Sequence, residues 1–328
     1  MISNPILSII VPMYKVELYI SKCLNSITDQ LKDSNIELII VDDGSPDRSG
    51  EIAKGFAYSN DRIFLLTQSN KGLSSARNLG LSKSHGEYVW FIDSDDWIAE
   101  DSLIEIIKTI NTYHPDAIHI CGADVIDNNP VKLFSLSNCS NIAKNGIDMI
   151  KENNFHGVVQ YTIYKKDILD RFNLKFLEGI YHEDTEFSPR AYYYLNNIRC
   201  IDKILYLKRV NDDSITRTVN FKKNEDLIKV SESLRHFALT KCDDKNRPLY
   251  MRLASNALKM AMRNEVNQLS STNKIRLNKL LYLNNNLFKS FLESDLAYYR
   301  VIGLFHRLFP NHHLQVSRFI DIITSGLK

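Results

Sequence analysis

The stretch YVWFIDSDDWIAED, residues 88–101, carries an apolar run straight into a cluster of carboxylates, with Asp93, Asp95 and Asp96 inside four positions. Like charges so close oppose one another's ionisation and resist leaving water, so the cluster requires a compensating cation. A solvated turn with Asp95 or Asp96 capping the next helix is the plainer reading. Alternate carboxylates at i and i+2 can instead present oxygens to one hard cation, Mg2+ or Mn2+, which keeps positions open for water and phosphate.

Working outward, the first part of the chain alternates apolar runs with helical repeats. LSIIVPMY (7–14) reads as a strand, and Ile20, Cys23, Leu24, Ile27 and Leu31 then recur at helical spacing. ELIIVDDG (37–44), RIFLLTQ (62–68), EYVWFID (87–93) and DAIHICGADVI (116–126) read as further strands. Helices are expected near 47–58, 74–84 and 102–110. Near-continuous Ile/Leu/Val runs separated by helices indicate an α/β, mostly parallel sheet covered on both faces. Right-handed crossovers bring the C-terminal strand ends to one rim, where ligands bind. VDDGS and DSDD both begin at such ends, so two acidic clusters face one crevice.

In VDDGSPDRSG, Gly44 permits a reversal and Asp47 caps the following helix. Asp42 and Asp43 are acceptor-only groups at a strand end and suit the imide N–H of a uracil ring. NKGLSSARNLGL (70–81) supplies Lys71 and Arg77, the latter placed to neutralise Asp43 or its neighbours. Tyr14 is either a base-stacking ring or a rim aromatic.

Composition adds limits. The 328 residues allow one large domain and an appendage, with an overall charge of +2. Residues 220–328 carry 18 Lys+Arg against 9 Asp+Glu, +9, leaving −7 for the rest. The two parts therefore face different partners. Five scattered cysteines lack any C-x-x-C pair, which points to a reducing compartment rather than a disulfide framework or zinc site. A cytoplasmic protein is expected, without signal peptide or membrane span. No nucleic acid partner is expected.

SIIVPMYKVELYISKCLNSI, LIIVDDGSPDRSGEIA, NKGLSSARNLGL and GEYVWFIDSDDW, in this order, resemble the nucleotide-binding domain of family 2 glycosyltransferases, which have the A-type glycosyltransferase (GT-A, Rossmann-like) fold. The resemblance covers residues 1–125 strongly and reaches 217 through shorter motifs. It implies a GT-A domain over 1–219, with a nucleotide-binding half (1–125) and an acceptor half (126–219), before a helical, basic region at 220–328. It also implies that Asp42 and Tyr14 hold uracil, with Asp43 and Arg77 supporting that wall. Asp93 would lie near the ribose or donor sugar, and Asp95 would ligate Mn2+ or Mg2+ at the diphosphate. Asp96 would share that work or cap the next helix, and Pro12, Lys71 and Ser94 would complete the nucleotide-sugar set.

Sugar transfer further needs a base for the incoming hydroxyl. In YHEDTEF (181–187) the resemblance assigns it to Asp184, supported by Glu183, with His182 beside them. One carboxylate base implies one in-line displacement and inversion, so that an α-linked donor gives a β-glycoside. LKRVNDDSITRT (207–218) resembles the loop that closes over the donor, with Arg209, Ser214, Thr216 and Arg217 as diphosphate or acceptor contacts. The expected reaction moves one sugar from a UDP-sugar to a lipid-linked bacterial glycan, such as O-antigen, capsule or lipopolysaccharide. A nucleotidyltransferase would need an early Gly-rich phosphate loop, which VPMYKVE does not supply; a non-catalytic binding module is the other alternative. SDLAYYRVIGLFHRLF (294–309) reads either as a helix packed on the core or as one lying on the inner leaflet. His312 and His313 are expected to be solvated.

Overall fold

A computed structural model describes residues 5–31, 35–126, 129–134, 143–152, 157–210, 220–263 and 266–325. Among these, nine strands form one sheet. The chain enters it through β1 (Leu7–Met13), α1 (Ile20–Thr28), β2 (Ile36–Asp42), α2 (Ser49–Ser59), β3 (Ile63–Thr67), α3 (Leu73–Lys83) and β4 (Tyr88–Phe91). Every residue of β1, β2 and β4 is buried, as strands covered on both faces must be. These four strands are parallel, in the order β3-β2-β1-β4, and Ile9 pairs with both Leu38 and Trp90. On α1 the buried set is Ile20, Cys23, Leu24 and Ile27. On α3, Gly80 lets the helix approach the sheet, since a Cβ there would come within 2.4 Å of Ile10 Cγ2.

Beyond β4 the sheet is mixed. β5 (Trp97–Ile98), α4 (Ser102–Tyr113), β6 (Ala117–Ile126), β7 (Asn129–Phe134), α5 (Gly146–Lys151), β8 (Thr162–Lys165), α6 (Lys166–Arg171), α7 (Glu183–Tyr193) and β9 (Ile198–Arg209) follow. β8 slots antiparallel between β4 and β6, and β9 runs parallel to β6 and antiparallel to β5. The α/β class and helix-covered parallel sheet match the sequence reading. The four-residue β8 is too short to announce itself by periodicity. Cys23, Cys121, Cys200 and Cys242 are buried free thiols; Cys139 lies outside the described residues.

The chain divides into two compact units, one comprising residues 1–179 and 191–214, the other 180–190 and 215–328. This differs from a boundary at 219 in assigning the segment with Glu183 and Asp184 to the helical unit. That unit contains α8 (Phe221–Thr240), α9 (Arg247–Arg263), α10 (Ser271–Leu283), α11 (Lys289–Leu292), α12 (Ala297–Leu308) and α13 (His313–Ser325). Asn220 and Ser270 cap α8 and α10 by accepting from Lys222 N and Asn273 N. Leu227, Leu258, Ala261, Leu277, Leu281 and Phe291 form its core. His313 departs from expectation: it is fully buried, its ring 3.8 Å from that of Phe288, with His306 Nδ1 at 3.1 Å from its own Nδ1. The helix-terminal position places it inside the bundle while His312 stays exposed. No described helix is long and apolar enough to cross a membrane.

Candidate active site

The C-terminal ends of β1, β2 and β4 lie side by side because the strands are parallel, which brings their polar loops to one rim. The loop after β1 is tied to the loop after β2: Lys15 N donates to Ser45 Oγ at 3.2 Å, Val16 N to Ser49 Oγ at 2.9 Å and Glu17 N to Asp47 Oδ2 at 3.1 Å. Lys15 takes a left-handed φ of 55° to turn this corner. Pro12 is buried within β1, whereas Tyr14, just past it, is 45% exposed and leaves a ring on the rim.

Asp42 and Asp43 are both buried. Asp42 Oδ1 accepts from Ser45 N at 2.9 Å, and its other oxygen lies 2.8 Å from where a Cβ on Gly50 would stand. Asp43 Oδ1 accepts from Gln68 Nε2 at 2.7 Å and Lys71 N at 2.8 Å, while Oδ2 accepts from Gly72 N at 2.7 Å. Asp43 thus pins the turn into α3. Lys71 contributes its backbone N–H to that turn, and Gly72 adopts φ 90° there. Arg48, not Asp47, holds the N-cap position of α2; Asp47 stands one residue earlier, its Oδ1 accepting from Ser49 N at 3.2 Å.

The acidic tip of β4 is held by two arginines. Arg77, fully buried on α3, donates from Nη2 to Asp93 Oδ1 at 2.7 Å: one helical turn past Gly72, the side chain reaches the tip of β4. Gln160 Nε2 bonds the other Asp93 oxygen. Arg209, at the end of β9, donates from Nη2 to Asp95 Oδ2 at 2.9 Å and from its backbone N to Asp96 Oδ1 at 2.8 Å. Tyr206 OH donates to Asp96 Oδ2 at 2.6 Å. Asp96 is therefore buried inside the unit and caps no helix; Asp101 holds the N-terminal position of α4. Ser94 is buried in the turn closed by Asp96 N and Asp93 O at 3.1 Å.

The electrostatics follow from burial. Asp96 is pushed well above the usual carboxylate range by desolvation and then by Asp95 and Asp93. Asp95 is raised by desolvation and by Asp93, with Arg209 opposing. Desolvation and the three carboxylates also push up the buried Cys23 thiol. Asp95 keeps a 39% exposed side chain, while Asp93 and Asp96 each have both oxygens engaged. Among the described residues, Arg209 Nε is buried with no hydrogen-bond partner. An open carboxylate beside an unfilled guanidinium donor fits a hard cation that takes its other ligands from phosphate and water. No group of three or more His, Cys, Asp or Glu among the described residues is placed as a closed metal cage.

In the helical unit, Glu183 and Asp184 open α7 and are half-buried, where the helix dipole favours their charge. His182 precedes them at φ 64°, and burial lowers its pKa. Tyr181 N, Lys222 Nζ and Lys229 Nζ donate to the fully buried Asp226 at 3.0, 2.6 and 2.8 Å. Burial opposes ionisation of Asp226, but those donors outweigh it and the pKa falls. Ser233 Oγ donates to Glu186 Oε1 at 2.6 Å, fixing the turn of α7 below the pair. Ser214, Thr216 and Arg217 lie outside the described residues. Gln160, Tyr206 and Glu186 escaped the sequence reading, because nothing in their local spacing marks a partner tens of residues away.

Residues 8–172 match the glycosyl transferase family 2 profile, and the chain belongs to that family. EpsJ of Bacillus subtilis (strain 168), an uncharacterized glycosyltransferase, is 34% identical over 232 residues, 65% of this chain and 63% of EpsJ. TarS of Staphylococcus aureus (strain MW2), a poly(ribitol-phosphate) beta-N-acetylglucosaminyltransferase, is 28% identical over 204 residues, 61% of this chain and 35% of TarS. The matches thus span less than two thirds of either relative. The crystal structure of S. aureus TarS 1–349 in complex with UDP-GlcNAc shares the fold with a TM-score of 0.75 at 18% identity, covering 98% of this chain and 92% of that one. The mannosyltransferase PcManGT from Pyrobaculum calidifontis, in complex with GDP-Man and Mn2+, gives 0.53 at 16% identity, covering 98% and 88%. The fold is that of the A-type glycosyltransferases.

Proposed function

We propose that the chain is a metal-dependent, inverting glycosyltransferase that moves a sugar from a UDP-sugar to a hydroxyl of a bacterial surface glycan. The observation that carries this reading is the partly exposed Asp95 carboxylate beside the unfilled Arg209 Nε at the ligand-binding rim. TarS with UDP-GlcNAc and PcManGT with GDP-Man and Mn2+ support the choice of nucleotide sugar and ion.

In this reading Tyr14 and Asp42 hold the uracil, and Asp43 fixes the turn that carries Lys71 against it. Asp93, set by Arg77 and Gln160, faces the ribose or donor sugar. Asp95 would hold Mn2+ or Mg2+, whose Lewis acidity stabilises the charge of the leaving diphosphate. Arg209 turns its guanidinium to the diphosphate oxygens. Asp184 accepts the proton of the attacking acceptor hydroxyl, with Glu183 and His182 setting its position. A single displacement at the anomeric carbon inverts its configuration.

The test is a panel of UDP-sugars, with and without Mn2+, scored for UDP release by wild type, Asp95→Ala and Asp184→Ala. One donor should give metal-dependent release. Asp95→Ala should lose it, and Asp184→Ala should bind UDP normally yet turn over about 100-fold more slowly or worse. Equal rates for the three proteins, or release of pyrophosphate instead of UDP, refutes the proposal.

A further inference from the structure

The helix α12 is apolar on two faces, and among the described residues only one of them is covered. Tyr299, Ile302, Gly303 and His306 are buried in the helical core. Val301, Leu304 and Leu308 recur at i, i+3 and i+7 on another side and are 50%, 51% and 70% exposed. Phe309, at the end of the helix, is 49% exposed, and Phe319 of α13 is 53% exposed with its ring centroid 6.2 Å from that of Phe305. Contiguous exposed apolar side chains of this size mark an interaction surface.

The surface lies in a basic part of the chain: residues 220–328 carry 18 Lys+Arg against 9 Asp+Glu. Arg300, Arg307 and Arg318 are all exposed, and the nearest acids in the sequence are Asp295 and Asp321 at the ends of the stretch. Helical spacing sets Arg300 and Arg307, seven residues apart, along one margin of the Val301–Leu304–Leu308 stripe. Arg300 is steadied there, Nη1 donating to Ser294 O at 2.8 Å. Long basic side chains beside an apolar stripe can keep their charges at headgroup level while the stripe enters the acyl boundary.

We infer that the Val301–Leu304–Leu308 face of α12, with Phe309, Phe319 and the flanking arginines, seats the protein on an anionic phospholipid surface. The apolar strip supplies partitioning, and the flanking arginines of this basic region supply attraction to negative headgroups.

Flotation of the full chain with phosphatidylcholine vesicles containing about one third phosphatidylglycerol tests the inference. Wild type should float with these vesicles, fail to float with pure phosphatidylcholine, and detach as salt shortens the Debye length. Leu304→Glu/Leu308→Glu should weaken binding about 10-fold or more, since both apolar groups would enter lipid, with an unchanged thermal melt. Arg307→Glu should weaken binding to the anionic vesicles by a smaller factor. Absence of wild-type flotation, or equal flotation of the double variant, overturns the inference. So does concentration-dependent self-association without lipid that the double variant abolishes, because the face would then belong to a second copy of this chain.

Discussion

Arg209 bonds both Asp95 and Asp96, its guanidinium on the first at 2.9 Å and its backbone N–H on the second at 2.8 Å. One residue at the end of β9 therefore fixes the buried carboxylate through its backbone and the partly exposed one through its side chain. The guanidinium carbon also sits 3.7 Å over the Tyr19 ring. Arg209→Gln keeps the backbone bond and removes the charge. Because the ion pair is partly exposed, folding stability should fall by about 1 kcal/mol or less in urea titrations. Affinity for the UDP-sugar with Mn2+ should fall about 10-fold by calorimetry, as expected for the loss of a charge-assisted contact to phosphate. Unchanged affinity would remove Arg209 from the donor site.

Gln160 offers a test of the charge balance at Asp93. Gln160→Glu keeps the shape and the backbone carbonyl that accepts from Trp90 Nε1 at 2.8 Å, but sets a second carboxylate against Asp93. Two carboxylates sharing a site raise one pKa. The folded state then binds more protons than the unfolded state, so the stability of the variant should decline as pH rises from about 5 to 7, relative to wild type. Parallel pH profiles of the urea midpoint for the two proteins would contradict the arrangement.

Asp43 carries a structural prediction. Both oxygens accept hydrogen bonds, and Asn can offer only one acceptor, leaving an N–H group facing either Gly72 N–H or the Lys71 and Gln68 donors. Asp43→Asn should cost about 1–3 kcal/mol in unfolding experiments. Donor affinity should fall too, because the turn leading to Arg77 would loosen.

The buried His306–His313 pair predicts acid sensitivity. Burial, and then His313, lowers His306 to about 3; burial, and then His312, lowers His313 to about 4. Both return to about 6.5 when unfolded, so the unfolded state binds more protons in the interval. Their contribution to stability is present above about pH 6.5 and is lost as pH falls toward 4 and 3. The urea midpoint should drop over that range, and His313→Phe, suited to stacking on Phe288, should flatten the drop. An equally steep profile in the variant would show that other groups dominate.

Much of the first unit was legible because its strands are uninterrupted apolar runs bounded by turn residues. The expected strands at 7–14 and 37–44 correspond to β1 and β2 within a residue or two, and the helix expected over 74–84 is α3 at Leu73–Lys83. The acidic ends at one rim followed from parallel strands. The partners of those acids were not legible. Arg77 reaches Asp93, Gln160 reaches the same carboxylate and Tyr206 reaches Asp96 only after the sheet forms, and no local period encodes such pairs. His313 was misread because adjacent polar residues suggest solvent, whereas the turn before α13 directs neighbouring side chains to opposite environments.

The position of β8 has a consequence for synthesis on the ribosome. Its residues 162–165 fill the gap between β4 and β6, with Ile163 opposite both Trp90 and Ile118. Until that late tetrapeptide emerges, two earlier strands wait with unpaired backbone edges, the condition that invites wrong pairing with other nascent chains. Chains truncated before residue 165 should therefore clump rather than yield a working nucleotide-binding half.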